Sequence, residues 1–478
     1  MDLLRKNKTL LAITCCAFVF RMTVFFVIKP YNQYDLQNKI MRDSDSEGFH
    51  NRAVSILETR SFSSFMGLRT PGYPLFISLF YFIFGVKPWV VLFIQILLGV
   101  GIVIMTYLIG KMLVSRKVAL LATGLCAIDP HLIFYSVQLL SDILFVFVLL
   151  LSILFFIYGI KNKRLTLFLL SSTLLGVSTM VKPVTLYFPI IVAGAILLCP
   201  KMKFNFRLTI ISFFILVFFV VIFPWQYRNY KVYNHFSLAP LAQSFNLLYR
   251  HAAFTEAAKT GKSIEQVRRE FTREVQLREL NGDDTYSKII ILNKMPSKLL
   301  RIGGWNPFDT ARVYNEIAIN YLIKNWIYYL PLHLRGIAII FLDPSTRNFF
   351  SMIGVKTREA WYLERNRSSA NVIKMIVDYF RINSTPEVVV GILISIFFFI
   401  VYSSFFFGVF KMILEKKMLL LFFFLSIILY FPNMAGIMCE NRYKLPTIPF
   451  YMIISARGII EIFRLCKNRR GTSKVCLD

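Results

Sequence analysis

The chain has 478 residues, 56% of them hydrophobic and 16% aromatic, with a mean hydropathy of +0.59 and a formal net charge of +29. Soluble domains average about 45–50% apolar, and here the excess comes as long runs rather than as one large core. The charge does not indicate a nucleic-acid partner, because the cations lie mainly in short segments between apolar runs, where they fit the positive-inside rule and contacts with anionic headgroups.

The N-terminus, MDLLRKNK before an apolar run, reads as a retained signal anchor, since no small-residue cleavage site follows. Spans are expected at 9–28, 89–110, 118–136, 142–159, 165–182, 184–199, 208–225, 388–410, 418–436 and 446–463. Val388 to Phe410 alone is an unbroken apolar or hydroxyl run of about 23 residues, and a bilayer needs about 20. Each span should be helical, because lipid offers the backbone no hydrogen-bond partner. The fold class is therefore an all-α polytopic membrane protein with about 10–12 transmembrane helices and amphipathic helices in its first outer loop.

Lys and Arg in short loops orient the chain. Arg5, Lys6 and Lys8 place the N-terminus in the cytoplasm, and the groups at Lys111, Lys161, Lys201, Lys411 and Lys467 continue the alternation. It holds only if 74–85 and 326–343 lie at the interface or re-enter; if both cross, the count is twelve. Three regions follow: a transmembrane catalytic module over 1–225 that includes outer loop 29–73, a long outer loop over 226–387, and C-terminal spans with a basic tail over 388–478. Within the long loop, 255–280 reads as one charged surface helix, Gly303-Gly304-Trp305-Asn306-Pro307 as a turn, and 312–330 as an amphipathic helix on the membrane. The seven cysteines include no CxxC pair, so neither a disulfide framework nor a metal site is implied.

Just after the first span, Asp43, Asp45 and Glu47 fall within five positions. Crowded acids at a membrane surface have raised pKa values, and such a carboxylate can take a proton from an attacking hydroxyl. Asp43-Ser44-Asp45 has the DxD form, but its setting beside the membrane argues against a nucleotide-sugar site. Arg69 stands before Thr70-Pro71-Gly72-Tyr73-Pro74, a stretch that fixes the backbone ahead of the next apolar segment. A guanidinium there suits a bidentate phosphate contact. Asp142 opens a span, where acids tend to be functional. Lys182, Arg228 and Arg442 repeat the outer-surface cation of Arg69 against the positive-inside trend, and together they suggest an anion site for a lipid-linked phosphate. His50, His235, His251 and His333 form no recognisable triad.

Asp45-Ser46-Glu47-Gly48-Phe49-His50, Ala53, Arg69-Thr70-Pro71-Gly72-Tyr73-Pro74-Leu75-Phe76 and Phe84-Gly85 resemble the first outer loop of bacterial GT-C glycosyltransferases. The resemblance is to the protein O-mannosyltransferase-like group and the aminoarabinose transferases of lipid A. Ser141-Asp142, Lys182-Pro183, Pro224-Trp225 with Arg228-Asn229, and Arg442-Tyr443-Lys444-Leu445-Pro446 extend it. It implies a polyprenyl-phosphate-linked sugar as donor, with a glycan, lipid or protein acceptor reached from the outer face of the inner membrane. Asp45 takes the place of the family's first-loop catalytic acid, supported by Asp43 or Glu47; Asp142 is a second acid near the site. Arg69, with Lys182, Arg228 or Arg442, would hold the donor phosphate, and His50 and Tyr73 would line the substrate. Phe49 stands where Tyr is usual, and Lys182 where Arg is common. No cofactor is implied; a divalent metal is compatible with the chemistry but nothing in the sequence calls for one.

Overall fold

The computed structural model describes residues 7–33, 36–41, 44–62, 67–200, 202–278, 306–346, 349–350, 353 and 385–472. Asp43 and the Gly303-Gly304-Trp305 part of the expected turn lie outside the described residues. Every regular element within them is helical. In chain order these are α1 (Lys8–Ile28), α2 (Ser44–Thr59), α3 (Gly72–Phe84), α4 (Pro88–Leu113), α5 (Arg116–Ala127), α6 (Pro130–Ser136), α7 (Asp142–Asn162), α8 (Leu165–Val181), α9 (Phe188–Leu197) and α10 (Phe204–Tyr233). The segment between α10 and α16, the outer segment by its expected position, carries α11 (Pro240–Asn246), α12 (Ala253–Thr260), α13 (Ile264–Arg278), α14 (Pro307–Lys324) and α15 (Trp326–Leu342). The chain closes with α16 (Thr385–Leu414), α17 (Met418–Ala435) and α18 (Ile448–Thr472).

Six of these are long and apolar enough to cross a bilayer: α1, α4, α7, α10, α16 and the 418–438 stretch; α5 with α6, bent by 55° at Asp129, makes a seventh if counted as one span. The segments 165–181 and 183–197 are shorter apolar helices, as are α3 and α15. Centrality follows burial. The apolar stretches of α4 and α7 are 61% and 67% buried, against 22% for α1, α10 and α16, so α4 and α7 sit at the middle of the bundle. Helices α16 and α18 touch backbone to backbone: a Cβ on Gly458 would lie 1.9 Å from the Ser404 carbonyl oxygen, and one on Gly408 would lie 2.3 Å from that of Ile454. Small residues permit that approach in place of a hydrophobic drive, which lipid does not supply.

Local rules account for several helix ends. Ser115 accepts from Val118 N at 3.3 Å and starts α5, and Asp129 accepts from Leu132 N at 2.9 Å and starts α6. Asn234 in the left-handed region ends α10. Arg21, a cation well inside α1, is fully buried; its Nε donates to Ser136 Oγ at 3.2 Å and its Nη1 to Ala17 O at 2.9 Å.

Three sequence expectations need correction. The charged helix expected over 255–280 is two helices, broken at Gly261, whose φ of +73° suits glycine. The amphipathic helix expected over 312–330 is instead α14 and α15, which meet at Asn325. The span expected to end at Trp225 runs on to Tyr233, because Pro224 sits inside α10 without ending it.

Between these helices the outer segment builds its own apolar core. Leu241, Leu248, Tyr249, Ala252, Val267, Phe271, Ala311, Tyr314 and Ile317 are all buried there. The orientation read from the loops has a direct check. In a cysteine-free background, Glu58→Cys on α2 should react with an impermeant maleimide outside intact cells. Lys467→Cys near the end of α18 should react only after lysis. Both side chains are exposed, and labelling of both from outside would refute the topology.

Candidate functional site

Helix α2 turns one face inward through Ser46, Phe49 and Ala53, spaced three and four apart and all buried. That seating leaves Asp45 in the first helical turn at the edge of the packed face. The Phe49 ring packs edge-on against Tyr73 at 4.8 Å, and its face carries the Arg69 guanidinium at 4.3 Å from the centroid. Arg69 is thereby aimed at Asp45, and its Nη2 donates to Asp45 Oδ1. The start of α3 is pressed onto the end of α8: a Cβ on Gly72 would lie 2.5 Å from Met180 O, and Thr70 Oγ1 donates to Val181 O at 3.5 Å. Arg69 and Lys182 are brought to one place by this close approach.

The other side of the site comes from the far end of the chain. After α17, Gly436 at φ +44° and Cys439 at φ +54° redirect the backbone into a 3-10 segment, Asn441–Thr447. From it Arg442 Nη1 donates to Asp45 Oδ2 at 2.7 Å, while its Nε pairs with Glu440 Oε2 at 2.7 Å. Glu440 Oε1 in turn accepts from Arg250 Nη1 at 3.1 Å. Asp142, 2% exposed at the start of α7, accepts from Lys182 Nζ at 2.6 Å. The Tyr443 ring lies between the two pairs, 4.8 Å from Lys182 Nζ and 5.8 Å from the Arg442 guanidinium carbon.

Charge balance sets the protonation of this cluster. Burial pushes the Asp45 carboxyl up, but the Arg69 and Arg442 guanidiniums outweigh it and hold the group well below the usual carboxylate range. Burial opposes the charge on Arg442, and Glu440 and Asp45 overcome it, so its pKa lies above the ordinary value. Arg52, whose Nη1 donates to Gly48 O at 2.8 Å, is pushed down to about 10 by burial and by Arg69.

Not every predicted residue joins the cluster. Glu47 is exposed in the first turn of α2. His50 bonds through Nδ1 to Tyr81 Oη at 2.8 Å, and burial lowers its pKa despite Glu47 nearby. Tyr73, expected to line the substrate, is 0% exposed; its hydroxyl donates to Gln95 Oε1 at 2.5 Å, and Gln95 Nε2 donates to Gln138 O at 2.7 Å. It braces the floor of the site from inside the bundle. Arg228, expected on the phosphate, spends its Nη2 on Phe62 O at 2.8 Å and stacks over Trp225 and Tyr233 at 5.0 and 5.4 Å. It clasps the first outer loop. Glu440 and Arg250 were missed. The first stands two residues before Arg442, a spacing that could have drawn notice; the second had no local signal. No group of three or more His, Cys, Asp or Glu side chains among the described residues is arranged to hold a metal ion.

Residues 69–227 match the family described as dolichyl-phosphate-mannose-protein mannosyltransferase. That stretch includes Arg69, Asp142 and Lys182 but not Asp45 or Arg442. No curated protein matches the sequence. Among solved structures, the archaeal oligosaccharyltransferase AglB from Archaeoglobus fulgidus, in complex with an inhibitory peptide and a dolichol-phosphate, is similar at a TM-score of 0.51 and 12% identity, over 99% of this chain and 52% of that one. The same archaeal enzyme tethered with an acceptor peptide containing the NVT sequon gives a TM-score of 0.52 at 12% identity, over 98% of this chain and 51% of that one. ArnT from Cupriavidus metallidurans bound to undecaprenyl phosphate is more distant, with a TM-score of 0.35 at 10% identity, over 94% of this chain and 76% of that one. The chain spans about half the length of the archaeal enzyme, and identity at this level speaks to the fold alone.

Proposed function

We propose that this chain, whose fold is similar to that of an archaeal oligosaccharyltransferase and whose residues 69–227 match a mannosyltransferase family, is a GT-C-type glycosyltransferase that moves a sugar from a polyprenyl-phosphate donor to a hydroxyl of a glycan, lipid or protein at the outer face of the membrane. The observation that carries the reading is the cluster itself. One carboxylate, Asp45, is held at both oxygens by guanidiniums from opposite ends of the chain, with a second acid–base pair, Asp142 and Lys182, beside them.

The step is a single displacement. The acceptor oxygen bonds to the anomeric carbon from the face opposite the phosphate, and the bond from that carbon to the phosphate oxygen breaks. The acceptor's proton goes to Asp45, and the bonding pair leaves on the phosphate. Arg69, Arg442 and Lys182 are placed to stabilise the charge that develops there; preorganised charge of this kind is often the largest catalytic contribution. A carboxylate clamped twice is a poor base. The donor phosphate competes for the same guanidiniums, and its arrival frees Asp45 to accept the proton.

A carrier of lipid-linked sugars is the rival reading, since carriers also bury ionisable groups. Arg21, Asp129 and Lys444 are 0% exposed. Their contacts favour a structural use: Asp129 caps α6, and Lys444 Nζ donates to Phe341 O at 3.3 Å. The displacement is tested by the anomeric configuration of the product, read by NMR from a donor of known configuration. Inversion is expected. Retention would rule out a direct attack assisted by Asp45.

A further inference from the structure

Helices α11 and α12 are one continuous run from Pro240 to Thr260, interrupted by a π-helical turn, Leu247–Ala252. Ala253 N donates to Leu248 O, the widened bond that defines such a turn. π-Bulges often occur at functional sites, because the extra residue redirects the side chains on the turn. Here Leu248, Tyr249 and Ala252 point into the apolar core of the outer segment. Arg250 is aimed at the segment that carries Arg442, and His251 at α15.

Both contacts are specific. Arg250 Nη1 donates to Glu440 Oε1 at 3.1 Å, and the other oxygen of Glu440 holds Arg442 Nε at 2.7 Å. His251 Nδ1 bonds Tyr329 Oη at 3.2 Å; that hydroxyl meets His333 Nδ1 at 2.8 Å, and His333 Nε2 bonds Asn433 Oδ1 at 3.0 Å. Asn433 lies three residues before Gly436, where α17 ends. At Gly436 a Cβ would fall 2.1 Å from His333 Nδ1, so α15 and the 436–440 segment have no slack between them. His251 is driven down to about 4 by burial, with His333 and Arg250 adding to it, and its ring is neutral at physiological pH. The π-turn is therefore fastened on both sides of the stretch that places Glu440.

We propose that Arg250 is a positioning residue for donor binding: acting through Glu440, it sets how much of the Arg442 guanidinium is available to the donor's phosphate. The inference rests on the donor-site reading given above. Glu440 competes with a phosphate for Arg442. Arg250 takes up one oxygen of Glu440 and shares its charge, which weakens the hold on Arg442. Without Arg250, the charge of Glu440 is shared less, its hold on Arg442 tightens and anion binding suffers. The outer segment thus has a lever on the donor side of the site through one ion-paired acid.

The test is binding of undecaprenyl monophosphate to the purified full chain in detergent, with a double-mutant cycle. Arg250→Ala should weaken binding about fivefold to tenfold, Glu440→Gln should tighten it by a similar factor, and Arg250→Lys should restore most of the loss. In the Glu440→Gln background, Arg250→Ala should have no further effect. An Arg250→Ala effect of equal size in both backgrounds would mean that Arg250 acts on the phosphate directly, and would overturn the relay while leaving the donor site standing. A fall in thermal stability with binding unchanged would make Arg250 merely structural and would also overturn it. Failure of the wild-type chain to bind the probe would overturn the donor-site reading and the relay together.

Discussion

Asp45→Asn should abolish transfer while leaving insertion and folding intact. The amide matches the carboxylate in size, and its single oxygen can still accept from one of the two guanidiniums, so the packing of α2 is kept although the second contact is lost. It cannot accept the acceptor's proton. Loss of a general base costs about 10²–10⁴-fold in rate. A pH signature accompanies the loss. Because the two guanidiniums hold the folded pKa of Asp45 below its unfolded value of about 3.9, the ionised group stabilises the fold above that range, and the contribution fades as pH falls through the folded value. The Asn variant should lack this contribution at neutral pH and show a flatter acid limb in thermal melts. Turnover like that of the wild type would remove Asp45 from the mechanism.

Arg442→Ala should lower kcat by about 10²–10³, the usual cost of deleting one donor aimed at developing negative charge. Arg442 is the more consequential of the two guanidiniums on Asp45, because it also anchors Glu440 and lies against Tyr443. Its removal strips the guanidinium from Asp45 Oδ2 and leaves the Arg69 contact at Oδ1. The pKa of Asp45 then rises, and the acid limb of kcat/KM, which reports the free enzyme, should move to higher pH. Arg442→Lys should recover part of the rate but not the forked contact that joins Asp45 to Glu440. Steady-state kinetics over a pH series, with donor and acceptor varied separately, checks both effects. An unmoved acid limb with a reduced kcat would separate Arg442 from Asp45.

The membrane helices were legible because lipid imposes a length and a composition on any segment that crosses it. The run from Val388 to Phe410 lies within α16, and the expected 142–159 lies within α7. The segment over 226–387 was less legible, since its helices are shorter and more charged than a bilayer-crossing run. Gly261 and Asn325 break stretches whose charge or apolar pattern runs on without interruption. Asp45 was found through its acid cluster and Arg69 through the Pro-rich stretch that follows it, both with the first-loop resemblance, and the structure pairs them. Arg442 was suggested by its cation at an unexpected surface and by the resemblance of the 442–446 stretch, and it meets Asp45 across 397 residues of sequence. Arg228 gave the same surface signal but donates to the carbonyl of Phe62, and a guanidinium so engaged looks no different in sequence from one awaiting phosphate. The link from Arg250 to Glu440 spans 190 positions, and no local pattern announces it.

The central claim is that sugar leaves a lipid phosphate in this cluster, and release of polyprenyl monophosphate tests it most directly. Purified wild-type protein would be given a panel of polyprenyl-phosphate sugars with candidate acceptors, alongside Asp45→Asn. The account predicts monophosphate release by the wild type from at least one donor, dependent on an acceptor, and none above background from the variant. Equal release by both proteins, or movement of intact lipid-linked sugar across a bilayer with no release at all, would contradict it.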